Sequence, residues 1–233
     1  MMLRRLFCML LFTTGLAHAR TVGIFNGAGT CDGCAETVAT FFSAQGDKVV
    51  YLNEHTLTAN KLAHMEVYVQ PGGSDDIDET LDALSTEQVK AIREFVQEGG
   101  SYLGICAGAY LAARYSSAAD KKPAYGLINN AELSSESASA APSLLKLQWG
   151  KLSRMVYNQS GPQFGKQAGK GVEVLARYSK SGRIAAQASR FGQGKVVLVG
   201  PHLEADEDWY EADKLSLQYG LNQDLFRELL RRL

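Results

Sequence analysis

Tyr102-Leu103-Gly104-Ile105-Cys106-Ala107-Gly108-Ala109-Tyr110-Leu111 decides how the rest of the chain is read. The first part is a short apolar run of the kind that forms a buried strand, and the last part resumes with helix formers. Between them lies G-x-C-x-G. Glycines two before and two after a nucleophile let the chain make a tight, strained turn that lifts the side chain above the sheet edge. A helix opening at Ala107 turns its free N–H groups and positive dipole end toward the sulfur, which favours thiolate. The Ala107 N–H then becomes one arm of an oxyanion hole. The competing reading is a buried cysteine in a glycine-flanked strand end.

Working outward, residues 21–26, 48–52 and 66–70 read as strands. Val38, Phe41 and Phe42 give residues 36–45 a helical stripe, and Val89, Ile92, Phe95 and Val96 do the same behind the capping-box start Ser85-Thr86-Glu87-Gln88. Gly99-Gly100 ends that helix. Strands alternating with helices at this spacing predict βαβ units and a mostly parallel sheet. Downstream, residues 172–178, 184–191 and 195–199 are strand patterns. The last two are joined by Gly192-Gln193-Gly194, a hairpin signal that predicts an antiparallel extension. Residues 134–142, rich in Ser and Ala, read as an exposed loop. Residues 222–232 read as a closing amphipathic helix carrying Leu225, Phe226, Leu229 and Leu230.

Two further strand ends carry candidate chemistry. Gln70-Pro71-Gly72-Gly73 follows the third strand, and ligand sites of open parallel sheets form at such ends. Residues without Cβ atoms there let a backbone N–H, assigned to Gly73, face a developing oxyanion. Val199-Gly200-Pro201-His202-Leu203-Glu204 follows another apolar strand. His202 is placed to act as general base for Cys106, and Glu204, two residues on, to orient the imidazole. His55 and His64 sit in polar contexts and read as surface residues.

Composition sets bounds. The chain has 233 residues, 45% hydrophobic and 21% charged, with 24 Lys+Arg against 25 Asp+Glu. Such a chain folds around a sizeable core, and a formal charge of −1 gives no basic face for nucleic acid. Arg4 and Arg5, the apolar run 6–16 and Ala17-His18-Ala19 form the pattern of a secretory signal peptide cut after Ala19. The apolar run is short for a bilayer span, which needs about 20 residues. The expectation is therefore an exported, periplasmic or secreted protein, not embedded in a membrane, with residues 20–233 as a single domain. Of the cysteines left, Cys31 and Cys34 sit three apart in a glycine-rich loop and Cys106 is the odd one out. A structural Cys31–Cys34 disulfide is favoured over a zinc half-site or a redox C-x-x-C, because no second metal-ligand pair follows and Gly33-Cys34 reads as loop rather than helix start.

Gly72-Gly73 after Pro71, the G-x-C-x-G around Cys106 and His202-x-Glu204 stand in the order found in class I glutamine-amidotransferase-like domains. The chain resembles most closely the branch named after the N-terminal domain of biotin-protein ligases. That resemblance extends to Phe25-Asn26-Gly27-Ala28-Gly29 and to Tyr157-Asn158-Gln159-Ser160-Gly161-Pro162-Gln163-Phe164, and covers roughly residues 21 to 205. It implies an α/β, flavodoxin-like three-layer sandwich with a Cys106-His202-Glu204 triad at the strand ends. It also implies a pocket that includes Gly72, Asn26, Gly27, Tyr157 and Asn158. Two departures stand out. The family's H-P-E is His202-Leu203-Glu204 here, and Gln159 and Ser160 occupy positions where glycines are expected. No G-R-G-R-x-G biotinoyl-adenylate loop and no synthase domain accompanies the motifs, so neither biotin ligation nor complete amidotransfer is expected.

The leading expectation is a cysteine hydrolase or amidase-like enzyme acting on a small molecule or peptide, without cofactor or metal. The alternative is a non-catalytic module that binds a small molecule or partner on the same scaffold. The acidic run 204–213 reads as a solvated loop, with Trp209 and Tyr210 either covering the pocket mouth or anchoring that loop.

Overall fold

The alternating runs assemble into one large sheet. The computed structural model describes residues 18–233, so most of the expected leader lies outside the described residues. The strands are β1 (Thr21–Phe25), β2 (Lys48–Leu52), β3 (Val67–Gln70), β4 (Ser101–Ile105), β5 (Ser143–Trp149), β6 (Leu152–Asn158), β7 (Glu173–Tyr178), β8 (Ile184–Phe191) and β9 (Gly194–Val199). Their order across the sheet is β2-β1-β3-β4-β9-β8-β7-β5-β6. The first five are parallel. The remaining four extend the sheet antiparallel.

Both faces of the parallel half are covered. Helices α1 (Cys34–Ala44) and α5 (Gln223–Leu230) pack Val38, Phe42, Phe226 and Leu229 against Val22, Ile24, Leu103 and Val197. On the other face α2 (Thr86–Gln97) and the short α3 (Ala107–Leu111) pack Ile92, Val96 and Leu111 against Tyr68, Tyr102, Val196 and Leu198. Successive strand residues alternate between the two clusters, as the two-residue period of a strand requires. The result is the expected three-layer α/β sandwich with an antiparallel extension. Ser85 and Gln88 form the reciprocal capping box that starts α2.

Register sets where the chain leaves the sheet. Val199 pairs with Ile105, so β4 and β9 end level, and the Cys106 N–H donates to the Val199 carbonyl at 3.0 Å. The carboxyl end of β3 lies on the other side of β4. There the Gln70 side chain accepts from the hydroxyls of Tyr68 (2.8 Å) and Tyr125 (3.0 Å), which satisfies its buried oxygen beneath the Pro71 turn. The order in which the chain adds strands reverses between β1 and β3, the switch point at which doubly wound sheets open a crevice.

Several local expectations are corrected. Strands β5 and β6 form a hairpin over residues for which no strand is expected. Ser134–Ser135, in the expected loop, pairs with Pro162–Gln163. The acidic run is not a loop. Glu207–Ala212 forms α4, whose start is capped by the Asp206 side chain accepting from the Trp209 N–H at 3.3 Å. Acidic residues in the first turn match the positive end of the helix dipole. Cys34 opens α1 after Gly33 in the left-handed conformation, so the objection that the C-x-x-C lacks a helix start does not hold.

Candidate active site

Cys106 sits between β4 and α3 with φ 48° and ψ −107°, a conformation that L residues avoid. The flanking glycines explain why the turn closes. A Cβ on Gly108 would stand 2.0 Å from the Gln70 carbonyl oxygen, and one on Gly104 would stand 2.5 Å from the Gly108 carbonyl oxygen. The turn is held by the Gly108 N–H donating to Pro71 O (3.2 Å) and the Tyr102 hydroxyl donating to Gly108 O (2.6 Å). Strain at Cys106 is thus imposed by close backbone packing that only glycine permits.

His202 follows β9 through Gly200-Pro201 and is pinned to the hairpin by its N–H donating to Tyr157 O at 2.9 Å. Its Nδ1 lies 2.7 Å from Glu204 Oε1, and neither side chain meets appreciable solvent. The second carboxylate oxygen of Glu204 has no partner among the described residues. Burial disfavours the imidazolium, but the Glu204 carboxylate and the hydrogen-bonded Cys106 sulfur outweigh it, and His202 is pushed up to about 10. The Cys106 thiol also donates to Gln159 O at 3.4 Å.

A cavity of about 560 Å³ opens over this pair, within the size range of small-molecule sites. Its wall includes Cys31, Gly73, Cys106, Ala107, His202 and Trp209. The N–H groups of Gly73 and Ala107 take no part in the turn and cap hydrogen bonds around them. The site thus gathers Cys106, His202, Glu204, Gly73 and Ala107. Gly72 stands beside the lining, with its missing Cβ 2.6 Å from His202 Cε1.

Four expected pocket residues lie elsewhere. The Asn26 amide turns outward to donate to Glu36 at 2.8 Å, and Gly27 packs against Phe25 and Glu54. Tyr157 stands behind the imidazole, its ring 5.7 Å from His202 and its hydroxyl donating to Asp213. Asn158 is fully buried beside Gly161. Both belong to β6, which reaches the site from the antiparallel side and so supports His202 rather than lining the cavity. Trp209 does line it, with its ring 5.2 Å from the imidazole. Cys31 in the cavity wall was not foreseen, since its loop has no periodicity to aim it. Cys31 and Cys34 are disulfide-bonded, with Cα atoms 5.4 Å apart. Among the described residues no cluster of three or more His, Cys, Asp or Glu side chains is arranged to hold a metal ion.

The family model described as biotin-protein ligase, N terminal, matches residues 20–137. The chain belongs to that family. Solved structures place this biotin-protein ligase N-terminal family member in the class I glutamine amidotransferase-like fold. One glutamine amidotransferase matches with a TM-score of 0.59 at 19% identity, over 89% of this chain and 97% of its own. A glutamine amidotransferase from Thermotoga maritima matches with a TM-score of 0.57 at 15% identity, over 93% and 96%. A cytoplasmic protein from Salmonella typhimurium matches with a TM-score of 0.54 at 13% identity, over 91% and 98%. At such identities the likeness speaks for the fold. No curated protein matches the chain.

Proposed function

We propose that the protein is an exported cysteine hydrolase that cleaves an amide or related acyl bond. The observation that carries this reading is Cys106 held at positive φ against a buried His202, which is itself bonded to Glu204. In the reaction Cys106 attacks the acyl carbon and His202 carries the proton to the leaving group. Glu204 keeps Nδ1 protonated and the ring oriented, while the N–H groups of Gly73 and Ala107 hold the oxyanion. Water then resolves the thioester through the same imidazole. A small-molecule or peptide amide suits the size of the cavity. Export is supported by the leader pattern of residues 1–19 and by the Cys31–Cys34 disulfide, which persists in oxidising compartments.

One observation favours the second reading, a binding module. The Gln159 carbonyl accepts from the Cys106 sulfur at 3.4 Å, an arrangement suited to a resting pocket. A panel of amide and peptide substrates, assayed with wild type and Cys106→Ala, separates the two. Turnover that vanishes in the variant supports the hydrolase. Ligand binding that persists in the variant, with no turnover in either protein, supports the module.

A further inference from the structure

The Cys31–Cys34 disulfide forms part of the wall of the cavity that contains Cys106. The two bridge sulfurs are not equivalent. Cys31 is partly exposed and lines the cavity, whereas Cys34 is 1% exposed and lies behind it, opening α1. Gly72 leaves the gap that lets the bridge approach the imidazole. The point where its Cβ would stand is 2.6 Å from His202 Cε1 and 3.5 Å from Cys31 Sγ. A disulfide and a thiol therefore line one pocket, and only the space of a missing methyl group lies between the bridge and the imidazole.

We infer that Cys31 is the disulfide-exchange partner of Cys106, a covalent site at which the bridge caps the nucleophile. The inference rests on reading Cys106 as a nucleophile paired with His202. His202 takes the Cys106 proton and the thiolate attacks the Cys31 sulfur from the cavity side. The Cys31–Cys34 bond breaks as the Cys31–Cys106 bond forms, and its electron pair leaves on Cys34. The proton returns through solvent to Cys34, so one thiol is exchanged for another and no oxidant is needed. The departing thiolate lies at the first position of an 11-residue helix, where free N–H groups and the dipole stabilise it. A stabilised leaving group accelerates exchange. Attack on Cys34 is disfavoured by its burial, since it is 1% exposed and does not line the cavity.

The test is non-reducing peptide mapping of the full-length protein after equilibration in glutathione buffer and quenching with N-ethylmaleimide. Wild type is expected to give a Cys31–Cys106 linked peptide together with maleimide on Cys34. Cys34→Ser, in which Cys31 has lost its partner, forms that link as its main product with oxidised glutathione. Cys31→Ser yields at least about tenfold less Cys34–Cys106 link under the same conditions. Absence of the Cys31–Cys106 peptide from both wild type and Cys34→Ser, while Cys106 still takes maleimide rapidly, overturns the exchange and leaves the hydrolase reading standing. A Cys106 inert to maleimide and unlinked overturns both.

Discussion

His202 Nδ1 stands 2.7 Å from Glu204 Oε1 with both side chains buried, and the carboxylate has no other partner among the described residues. Removing the imidazole strands a charge inside the fold. His202→Ala is expected to destabilise by about 3–5 kcal/mol, the range for breaking a buried pair from one side. Glu204→Gln keeps an acceptor for Nδ1–H and should cost about 1–2 kcal/mol. The double variant should lose clearly less than the sum of the two. Urea unfolding of the four proteins measures the coupling, and strict additivity would show that the pair is not linked.

The same pair sets a pH dependence. His202 is raised from its ordinary value to about 10. Its contribution to stability is complete below the unfolded value of about 6.5 and is lost as pH rises through 10. Wild type should therefore lose stability relative to His202→Gln between these limits. Thermal unfolding of both proteins across that window reads the difference, which should be largest at the acidic end.

Gly72→Ala places a methyl group 2.6 Å from His202 Cε1, so the ring must move while the backbone has room. We expect a folded protein whose Cys106 modification slows toward the rate of a His202 variant. Gly73→Ala instead meets the Gly29 carbonyl oxygen at 2.2 Å and should destabilise the loop itself. Circular dichroism and Cys106 labelling together distinguish the two effects.

Ser160 adopts φ 53° where the family pattern leads one to expect glycine, and its carbonyl accepts from the Tyr110 hydroxyl at 2.7 Å. The left-handed conformation costs about 1–2 kcal/mol for most residues. Ser160→Gly should therefore be tolerated within about 1 kcal/mol, because relief of strain offsets the entropy gained by the unfolded chain. Ser160→Val should destabilise by about 2 kcal/mol or more, a difference that denaturant unfolding resolves.

Much of this arrangement was readable from the chain. The G-x-C-x-G turn, Pro71-Gly72-Gly73 and His202-x-Glu204 each follow a strand whose apolar run is unmistakable, and parallel strands bring their carboxyl ends together. The β5–β6 hairpin was missed although Leu145, Leu147 and Trp149 alternate with Lys146 and Gln148 before Gly150-Lys151, a legible strand and turn. Helix α4 was missed because its acidic residues read as solvation, whereas Asp206 caps it and Glu207 and Asp208 favour its first turn. Asn26 and Tyr157 were misplaced because motif position does not fix side-chain direction. Asn26 is drawn outward by Glu36, and Tyr157 is held behind the ring by Asp213.

Trp209 bears on access to the site. Its ring packs on His202 at 5.2 Å and on Tyr157 at 5.5 Å while lining the cavity. Trp209→Ala should widen the mouth and raise the rate of Cys106 modification by a bulky maleimide more than by iodoacetamide. Equal acceleration by both reagents would mean that the ring does not restrict entry.

The coupling of Cys106 to His202 is tested most directly by the rate of Cys106 alkylation against pH in wild type and His202→Ala, with peptide mapping to assign the site. A nucleophile paired with imidazolium predicts that at neutral pH the wild-type thiol reacts at least about tenfold faster than the thiol of the variant. Equal rates at neutral pH, with the two pH curves superimposed, would contradict it.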